Sequence, residues 1–515
     1  MSMPRALYTV AGIRQIEQAA LRALPSRTLM QRAGRAAADH ALHLLPAHAA
    51  PSVLLLAGPG NNGGDAFEMA MHLAEAGCDT SLMLVGDANT LPPDAAQALQ
   101  QACTHDTVRM IAADAAHIAS GNWSLVVDGL FGIGLSRPIQ GDARALIEAV
   151  NTLRCPVLAL DVPSGLNADT GAVLGGSAGI AVRATHTITF IGDKPGLHTG
   201  DGRDFAGDIA VRQLAIDPAL FPVTDLHLNE PAQFAAALKP RLHNSHKGSY
   251  GDLIVLGGAS GMVGAAVLAA RTAAKCGAGR VFIASPANAL AYDAMQPELM
   301  CRPAQQLDFN TAVMVCGPGL GITREAHDLL NRSIASSSPL VLDADALNLI
   351  AAEPGLQHKL PVRRAPSLMT PHPLEAARLL DTSTGAIQAD RLAAARTLAT
   401  RFHATVILKG SGSVIASPDG RMAINPTGNP ALATAGAGDV LSGVCGALLA
   451  QRWPLDMAAC AAVWLHGKAA DDLVESGIGP IGVTASELIL PIRAALNRLV
   501  HQQSEKFKPG VPPKS

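Results

Sequence analysis

The sequence predicts an α/β protein made of two domains, each with a largely parallel sheet between layers of helices. Short apolar runs such as Val53–Ala57 and Val157–Leu160 alternate with longer stretches of helical periodicity, which is the pattern of βα units. Several of these runs end in glycine-rich or acidic turns. A chain of 515 residues is too long for one domain. The patterning weakens at 221–242, where three prolines interrupt it, so we expect a linker there.

Composition and charge narrow the class of protein. Hydrophobic residues make up 49% of the chain and charged residues 16%, so there is ample material for two cores. The formal net charge of -3 argues against a general nucleic-acid-binding protein. The eight cysteines are scattered and form no C-x-x-C pair, which favours free thiols over disulfides or a zinc site. Met1–Gln18 lacks the apolar core of a signal peptide and no apolar run could span a bilayer, so we expect a soluble cytoplasmic protein without a membrane partner.

The first predicted βα unit carries a polar turn. Helical periodicity over Arg14–Leu21 and Leu29–Leu45 precedes the strand Val53–Ala57. That strand runs into the turn Gly58–Asp65, and a helix is expected over Ala66–Ala76. Strand, glycine-rich turn and helix form the layout of a nucleotide-binding unit. The turn has two asparagines and an aspartate instead of the usual dinucleotide fingerprint, and a purely structural turn is the alternative interpretation.

Two further acidic positions follow predicted strands. Asp128 ends one strand, and Asp161 comes directly after another. Since ligands bind at the carboxyl ends of the strands in open α/β sheets, these positions and the first turn predict a site at that edge. A single aspartate there is often only a helix cap, but three clusters together make capping alone a poor explanation. Further strands are predicted at Ser81–Val85, Thr187–Ile191 and Gly207–Val211.

The second half of the chain shows the same βα alternation with different motifs. Asp252–Leu256 is a predicted strand and Ala265–Cys276 a predicted helix. The apolar run Thr405–Leu408 predicts a strand that ends in the small and hydroxyl residues of Lys409–Ser413. Further strand ends are predicted at Cys316–Gly321, Leu340–Asp345 and Thr370–Glu375.

The sequence Gly-Ala-Gly-Asp at 436–439 has the clearest chemistry. Its small residues let the backbone turn tightly and approach a ligand, and the helical run Val440–Ala450 places it at a helix N-terminus, which favours an anion. Asp439 could hold the proton of a reacting hydroxyl. A flexible loop with Asp439 as a helix cap is the alternative. A second small-residue loop at Lys409–Ser413 favours a nucleotide site.

The motifs of the chain, taken in the order in which they occur, resemble those of the bifunctional NAD(P)H-hydrate repair enzymes over nearly all of residues 5–500. That family fuses an NAD(P)H-hydrate epimerase to an ADP-dependent (S)-NAD(P)H-hydrate dehydratase of ribokinase-like fold. The order and the two-domain length carry the resemblance, since no single motif is decisive. The motifs are Asn61–Asp65, Val127–Gly134, Asp161–Gly165, His246–Gly248, Gly317–Gly321, Asp343–Asn348, Thr370–Glu375, Lys409–Ser411 and Gly428–Asp439.

The resemblance implies an organisation and a repair function. Residues 1–220 would form a Rossmann-like epimerase domain, 221–242 a linker and 243–500 the ribokinase-like dehydratase domain, while the Lys- and Pro-rich tail 501–515 is expected to be disordered. Reduced nicotinamide nucleotides add water across the ring double bond next to the nitrogen, which gives an inactive hydrate with two epimers. The first domain would interconvert the R and S hydrates of NADH and NADPH (NADHX and NADPHX). The second would use ADP to dehydrate the S form, leaving AMP and phosphate, and the resemblance also implies a homo-oligomer, a tetramer or larger.

For the epimerase half, the resemblance implies a potassium ion at Asn62, Asp128 and Ser164, whose oxygens suit a hard cation. Asp161 would be the acid/base residue. The family usually has Gly at Ala66 and Thr at Ile133, but neither departure removes an expected ligand. The implied hydrate-binding residues are Asn61, Asn62, Gly63, Gly64, Asp65, Gly132, Ile133, Gly134, Leu135, Ser136, Arg137, Pro138 and Asp161.

For the dehydratase half, the resemblance implies that Asp439 activates the hydrate hydroxyl for phosphorylation, because a phosphorylated oxygen leaves more easily than hydroxide. A magnesium ion on the nucleotide oxygens is expected on general grounds. His372 has an alternative role as a turn histidine, and Asp343 and Asp345 could be catalytic or could cap a helix. The implied hydrate contacts are Gly319, His372 and Asp439, and the implied nucleotide contacts are Lys409, Gly410, Ser411, Gly412, Ser413 and Gly438.

Two alternatives stay open at the level of the sequence. The C-terminal domain could be a ribokinase-like small-molecule kinase, and the N-terminal domain a non-catalytic Rossmann-like binding module. His372 argues against the first, because related vitamin kinases usually have Asn there. The presence of Asn62, Asp128, Asp161 and Ser164 together argues against the second.

Overall fold

The computed structural model describes residues 4–46, 50–286 and 290–506. These residues form two compact units. The N-terminal unit is Ala6–Thr224, and the C-terminal unit runs from Asp225 onward and also includes Pro4 and Arg5. Each unit has its own sheet and its own core.

The N-terminal unit is built on a parallel sheet of seven strands in the order β3-β2-β1-β4-β5-β6-β7. The chain therefore reverses its direction of winding between β1 and β4, and such a switch point opens a crevice at the carboxyl edge of the sheet. The strands β1 to β7 are Ser52–Ala57, Asp79–Leu84, Val108–Ile111, Leu125–Gly129, Val157–Leu160, His186–Phe190 and Asp208–Arg212.

Helices cover both faces of this sheet. Neighbouring side chains of a strand point to opposite faces, so Leu55 packs into one core and Leu54 into the other. Helices α1 to α4 contribute to the first core, and α5 and α6 to the second. This three-layer arrangement confirms the predicted Rossmann-like fold. The helices α1 to α7 are Val10–Leu21, Thr28–Leu42, Asn61–Glu75, Pro93–Thr104, Ala115–Ser120, Gly141–Val150 and Gly202–Phe205.

The C-terminal unit has a sheet of ten strands in the order β11-β10-β9-β12-β13-β14-β15-β16-β17-β8. The pairs β15–β16 and β16–β17 are antiparallel, and the remaining pairs are parallel. The strands β8 to β17 are Leu226–Leu228, Asp252–Leu256, Arg280–Ser285, Met300–Pro303, Val313–Cys316, Leu340–Leu342, Ser367–Met369, Thr405–Leu408, Val414–Ala416 and Met422–Ile424.

One face of this second sheet is covered by α8, α15, α16 and α17, whose apolar residues share a core with the strands. Helices α9 and α14 contact β12 and β15. The α/β class predicted for this half is confirmed. The helices α8 to α17 are Val263–Lys275, Arg324–Ala335, Ala344–Ala352, Pro354–Lys359, Pro373–Leu380, Thr384–Ala389, Arg391–Phe402, Ala437–Ala450, Leu455–Glu475 and Ile489–Lys506.

The expected linker and tail differ from the structure. Leu226–Leu228 is an edge strand paired with β17, and Phe234 is fully buried in the core of the C-terminal unit. The prolines of 221–242 therefore interrupt the helical and strand pattern without detaching the segment from a core. Residues 501–506 continue the last helix, and the rest of the tail that was expected to be disordered, 507–515, lies outside the described residues.

Two helices begin earlier than predicted. Helix α3 begins at Asn61, with Gly60 as its N-cap residue, and helix α15 begins at Ala437, with Gly436 at φ +88° as its N-cap residue. The polar residues of both motifs are thus part of a first or second helical turn, and not of a preceding loop. Their side chains consequently have helical spacing, which places positions three and four apart on one face.

Candidate functional site

A cavity of about 720 Å³ lies at the switch point of the N-terminal sheet. It is bounded by the loops after β1, β4, β5 and β6 and by residues of α1 and α2. Its wall contains both charged and apolar side chains. The residues that the sequence predicted and that line it are Asn61, Asn62, Asp65, Gly132, Ile133, Gly134, Leu135, Ser136, Arg137 and Asp161.

Three of the predicted residues are not on this wall. Gly63 packs against the loop behind it, where an added Cβ would lie 2.0 Å from the Gly58 carbonyl oxygen. Gly64 faces Met30, and Pro138 lies beside Gly175. Gly63 and Gly64 therefore allow close packing of α3, and we find no direct role for them in the cavity.

Asp161 is anchored through one of its two oxygens. The fully buried Lys194 side chain donates to Asp161 Oδ1, to Thr189 Oγ1 at 2.7 Å and to the Phe190 carbonyl at 2.8 Å. These bonds use all three N–H groups of the ammonium. The Phe190 N–H donates to Asp161 Oδ1 at 3.3 Å. Oδ2 receives no hydrogen bond from the described residues, so it remains available to a molecule in the cavity.

The backbone at this wall is strained. Asp161 has φ +68° and Ile191 has φ +67°, and both residues line the cavity. Aspartate tolerates the left-handed region, but a β-branched residue there is an outlier. Strain of this kind is held in place by its surroundings and clusters at functional sites.

Asp65 lies on the same cavity, and no cation among the described residues is in contact with its carboxyl. It lies three residues after Asn62 and four after Asn61 in α3, so the three side chains share one helix face. We find no hydrogen bond or ion pair to the Asp65 carboxyl among the described residues. Burial raises the pKa of Asp65 well above its usual range; Asp161, Glu17 and Glu68 raise it further and Lys194 opposes them.

Asp128 and Ser164 form a buried polar pair behind the cavity. The Ser164 N–H donates to Asp128 Oδ2 at 2.8 Å and its hydroxyl to Oδ1 at 2.6 Å. Burial raises the pKa of Asp128 to about 6, and the hydrogen bonds from Ser164 and Leu130 limit the rise. The Phe131 N–H donates to Ser164 Oγ at 2.8 Å, which ties the loop after β4 to this pair.

Asn62 supplies the amide of the predicted cation set. Its side chain is only 8% exposed, yet neither its oxygen nor its nitrogen has a hydrogen-bond partner among the residues that the structure describes. It lies against the loop after β4, where a Cβ added to Gly132 would be 3.3 Å from Asn62 Cγ. Buried polar side chains are nearly always paired, so this amide has room for a ligand that the protein itself does not provide.

A second polar cluster lies at the carboxyl edge of the C-terminal sheet. The Lys409 ammonium donates to Asp343 Oδ1 at 2.8 Å, and the Ser442 hydroxyl donates to Asp343 Oδ2 at 2.7 Å. Asp343 follows β13, Lys409 follows β15 and Ser442 belongs to α15. Asp343 is the N-cap residue of α10, but its side chain makes no capping hydrogen bond. Its carboxylate therefore organises this cluster, which excludes a role as a side-chain helix cap.

Carboxyl groups outnumber cations in this cluster. Burial and then the charge of Asp343 raise the pKa of Asp439 to about 7, against the opposing effect of Lys409. Burial also raises the pKa of Glu375 to about 7. The pKa of Lys409 is raised although burial lowers it, because Asp343 and Glu375 outweigh the burial. Asp439 therefore exchanges its proton near neutral pH, which suits a general base.

His372 both caps a helix and faces this cluster. Its Nδ1 accepts hydrogen bonds from the N–H groups of Leu374 and Glu375 at 3.1 and 3.3 Å, so the turn role considered for this residue is real. Its Nε2 lies 3.3 Å from Glu375 Oε1. Burial and Lys409 lower the pKa of His372. The side chain is 45% exposed, so one edge of the ring is open to a ligand.

Glycines shape the space around Lys409. A Cβ on Gly438 would lie 3.2 Å from Lys409 Nζ, so a larger residue would crowd the cation. Gly319 has φ +57°, and its loop is held by the Gly321 N–H, which donates to Asp345 Oδ2 at 2.8 Å. Residues Lys409–Ser413 form the tight turn between β15 and β16, in which Ser413 Oγ donates to the Gly410 carbonyl at 3.1 Å.

Sequence reasoning missed four residues near these sites. Lys194, Glu375 and Ser442 all contact or influence the predicted acidic groups. His466 is buried, has an unpartnered Nε2 and has its pKa lowered to about 4 by burial and by Lys409. Lys194 and Glu375 carried a signal, since Gly192–Gly196 is a polar turn directly after a strand and Glu375 ends the motif Thr370–Glu375.

All eight cysteines are free, as predicted. Among residues 4–46, 50–286 and 290–506, no helix is both long and apolar enough to cross a membrane. Within the same ranges, no group of three or more His, Cys, Asp or Glu side chains could hold a metal ion.

Comparisons with known proteins agree with the two-unit organisation. A family described as NAD(P)H-hydrate dehydratase matches residues 253–492, and one described as YjeF-related protein N-terminus matches residues 26–196. The bifunctional NAD(P)H-hydrate repair enzyme Nnr of Coxiella burnetii is 38% identical over 95% of this chain and 99% of its own. The enzyme of the same name from Escherichia coli is 35% identical over 99% of this chain and 98% of its own.

A solved structure is similar to about half of the chain. It is an ADP/ATP-dependent NAD(P)H-hydrate dehydratase from Bacillus subtilis, co-crystallized with ATP and Mg2+. It is 30% identical, covers 53% of this chain and 98% of its own, and has a TM-score of 0.47.

Proposed function

The chain belongs to the family of bifunctional NAD(P)H-hydrate repair enzymes, and we propose that its two polar sites carry the two steps of that repair. The cavity of the N-terminal unit epimerises the hydrates of NADH and NADPH. The polar cluster of the C-terminal unit, which contains Asp343, Lys409 and Asp439, dehydrates the S epimer with ADP, leaving AMP and phosphate. The observation that supports this division best is that each unit gathers acidic side chains at the carboxyl edge of its own sheet, Asp65 and Asp161 in one and Asp343 and Asp439 in the other. Family membership over the full length decides against the small-molecule kinase and the non-catalytic binding module.

In the epimerase site, Asp161 is the acid/base residue. Epimerisation requires the carbon–oxygen bond next to the ring nitrogen to break and re-form, which needs proton transfer at the hydroxyl oxygen. Lys194 holds Asp161 Oδ1 in place. Oδ2, which accepts no hydrogen bond from the described residues, is available for this transfer. The loop Gly132–Arg137 and the face of Asn61 and Asn62 close the cavity around the hydrated ring.

A potassium ion fits the residues behind the cavity. The unpartnered Asn62 amide, the Asp128 carboxylate and the Ser164 hydroxyl supply hard oxygen ligands, with a single negative charge among them. When bound, the ion would supply a fixed positive charge beside the cavity that orients the substrate. These residues would hold it at the ends of β1, β4 and β5.

In the dehydratase site, Asp439 takes the proton of the hydrate hydroxyl as that oxygen attacks the terminal phosphoryl group of the nucleotide. The N–H groups at the start of α15 face the transferring group, and Lys409 provides the nearby positive charge. Phosphate is then expelled with help from the ring nitrogen lone pair. Gly319 and His372 border the hydrate, while the turn Lys409–Ser413 and Gly438 border the nucleotide. A magnesium ion bound together with the nucleotide would supply positive charge that offsets the charge of its phosphate groups.

The remaining features of this proposal rest on the resemblance and the composition. We place the protein in the cytoplasm, which agrees with eight free thiols. We also propose a homo-oligomer of four or more chains. Sedimentation of the full chain at several concentrations measures the second point directly, and a single monomeric species would contradict it.

The function is tested by restoring reduced nicotinamide absorbance from an R/S mixture of hydrated NADH with ADP and magnesium. The wild-type protein is expected to convert the whole mixture. The Asp161→Ala variant should convert the S half rapidly and the rest only as fast as the epimers interconvert spontaneously. The Asp439→Ala variant should restore no absorbance. Full conversion by Asp439→Ala, or nucleotide consumption with simple alcohols and not with the hydrate, would overturn the assignment.

A further inference from the structure

Two carboxyl groups of the N-terminal cavity differ sharply in their surroundings. Asp161 is paired with the buried Lys194 ammonium and accepts further hydrogen bonds on Oδ1. Asp65 lines the same cavity, but no cation or hydrogen-bond donor among the described residues contacts it. Paired carboxyls in opposite environments are the usual arrangement for separate acid and base roles.

We propose that Asp65 is the proton donor of the epimerisation, opposite Asp161 as the proton acceptor, with Lys194 positioning Asp161. This inference rests on the proposed epimerase function and assigns a second catalytic residue to the same cavity. Asp65 is the fifth residue of α3, beyond the first turn, so stabilisation of the helix dipole does not account for it. Its place one turn after Asn61 and Asn62 points it to the same part of the cavity as those two amides.

The proposed step balances in atoms and charge. The Asp65 carboxyl gives its proton to the hydroxyl on the hydrated carbon, the carbon–oxygen bond breaks, and its electron pair leaves with the oxygen as water. The ring nitrogen lone pair forms a C=N bond to that carbon. A water molecule then adds to the opposite ring face while Asp161 takes one of its protons. In the reverse direction the two residues exchange roles, and water in the cavity returns the proton from Asp161 to Asp65 between turnovers.

The surroundings of Asp65 are consistent with a carboxyl that holds its proton. Burial raises the pKa of Asp65 well above its usual range. The charged groups that act on it are Asp161, Glu17, Glu68 and Lys194, and Glu68 is itself paired with Arg27. Glu17 is another acidic residue on the cavity wall, and burial raises its pKa too, but Arg14 opposes that rise. Glu17 is therefore the matched control.

The test measures epimer exchange in the full chain with Asp65→Asn, Asp65→Glu and Glu17→Gln. Asp65→Asn is expected to slow exchange by about 10²–10³-fold, the usual contribution of a general acid. Asp65→Glu should recover part of that loss, and Glu17→Gln should stay within a few-fold of the wild type. Dehydration of purified S hydrate by the same preparations measures the amount of active chain, since it uses the other unit. Urea unfolding of each variant reports whether the N-terminal unit, which has its own core, is folded.

Additional measurements distinguish a failure of the Asp65 proposal from a failure of the epimerase assignment. Epimer formed in oxygen-18 water must carry the label, because the original oxygen leaves as water; retention of the original oxygen would overturn the mechanism. Lys194→Gln should shift the pH dependence of exchange, and a loss of rate with an unchanged profile would refute its positioning role. If Asp161→Ala is inactive while Asp65→Asn keeps full exchange, the inference fails and the epimerase function stands. If both variants keep full exchange, the epimerase assignment of this cavity fails as well.

Discussion

Replacement of Asp343 by Asn should move the pH dependence of the dehydratase to lower pH. In the wild type, burial and the Asp343 charge raise the pKa of Asp439 to about 7. If Asp439 is the base, the rate should rise about tenfold between about pH 6 and pH 8, as its ionised fraction grows from about one-tenth to nine-tenths. The substitution removes a negative charge and also releases Lys409 from its ion pair. Both changes favour ionised Asp439, so both act in the same direction.

The assay is kcat/KM for the S hydrate across this pH range at fixed nucleotide and magnesium, with the wild type and Asp343→Asn measured side by side. Ser442→Ala is the matched control, because it removes a hydrogen bond to Asp343 and leaves its charge in place. It should shift the midpoint less than Asp343→Asn does. Glu375→Gln is a second control, because burial raises the pKa of Glu375 to about 7 as well and its titration could produce a midpoint at the same pH. An unchanged or higher midpoint in Asp343→Asn would refute the electrostatic reasoning.

Two further predictions concern stability and ion binding. Gly63→Ala should lower the free energy of unfolding by about 2–3 kcal/mol in urea denaturation, because its Cβ would lie 2.0 Å from the Gly58 carbonyl oxygen. The control Gly134→Ala places its Cβ with no atom within 4 Å and should change the free energy of unfolding by less than about 0.5 kcal/mol. Equal effects of the two substitutions would contradict the packing argument. Potassium should raise the melting temperature of the wild type relative to choline. At a potassium concentration of a hundred times its Kd, the rise should be equivalent to about 2.7 kcal/mol. Asn62→Ala should abolish this difference, and an undiminished potassium effect in the variant would exclude Asn62 as a ligand.

Much of the framework could be predicted from local patterns. The strands Val157–Leu160 and Asp252–Leu256 coincide with their predicted bounds, because buried parallel strands are short apolar runs that end at polar or glycine turns. The short strands β8, β16 and β17 were not predicted. Each has three residues, and a run this short is predicted only where a recognisable turn motif follows it, as after the equally short β13.

The candidate sites were predictable in part for a similar reason. Asp65, Asp161 and Asp439 follow strands or open helices, and the carboxyl edge of a parallel sheet gathers such positions. Gly63 and Gly64 belong to the same motif, but the structure shows them packed behind the cavity. A motif contains both residues that face a ligand and residues that let the backbone approach its neighbours, and only the fold separates the two.

Local periodicity and turn residues are enough to predict the two α/β units, the edge of each sheet where a candidate site lies and the carboxyl groups there. The partners of those groups come from distant parts of the folded chain. Lys194 reaches Asp161 across 33 residues, Lys409 reaches Asp343 across 66, and Ser442 reaches the same carboxylate across 99. Contacts over such separations leave no local pattern, yet they set the charge that surrounds each carboxyl and therefore how readily it holds its proton.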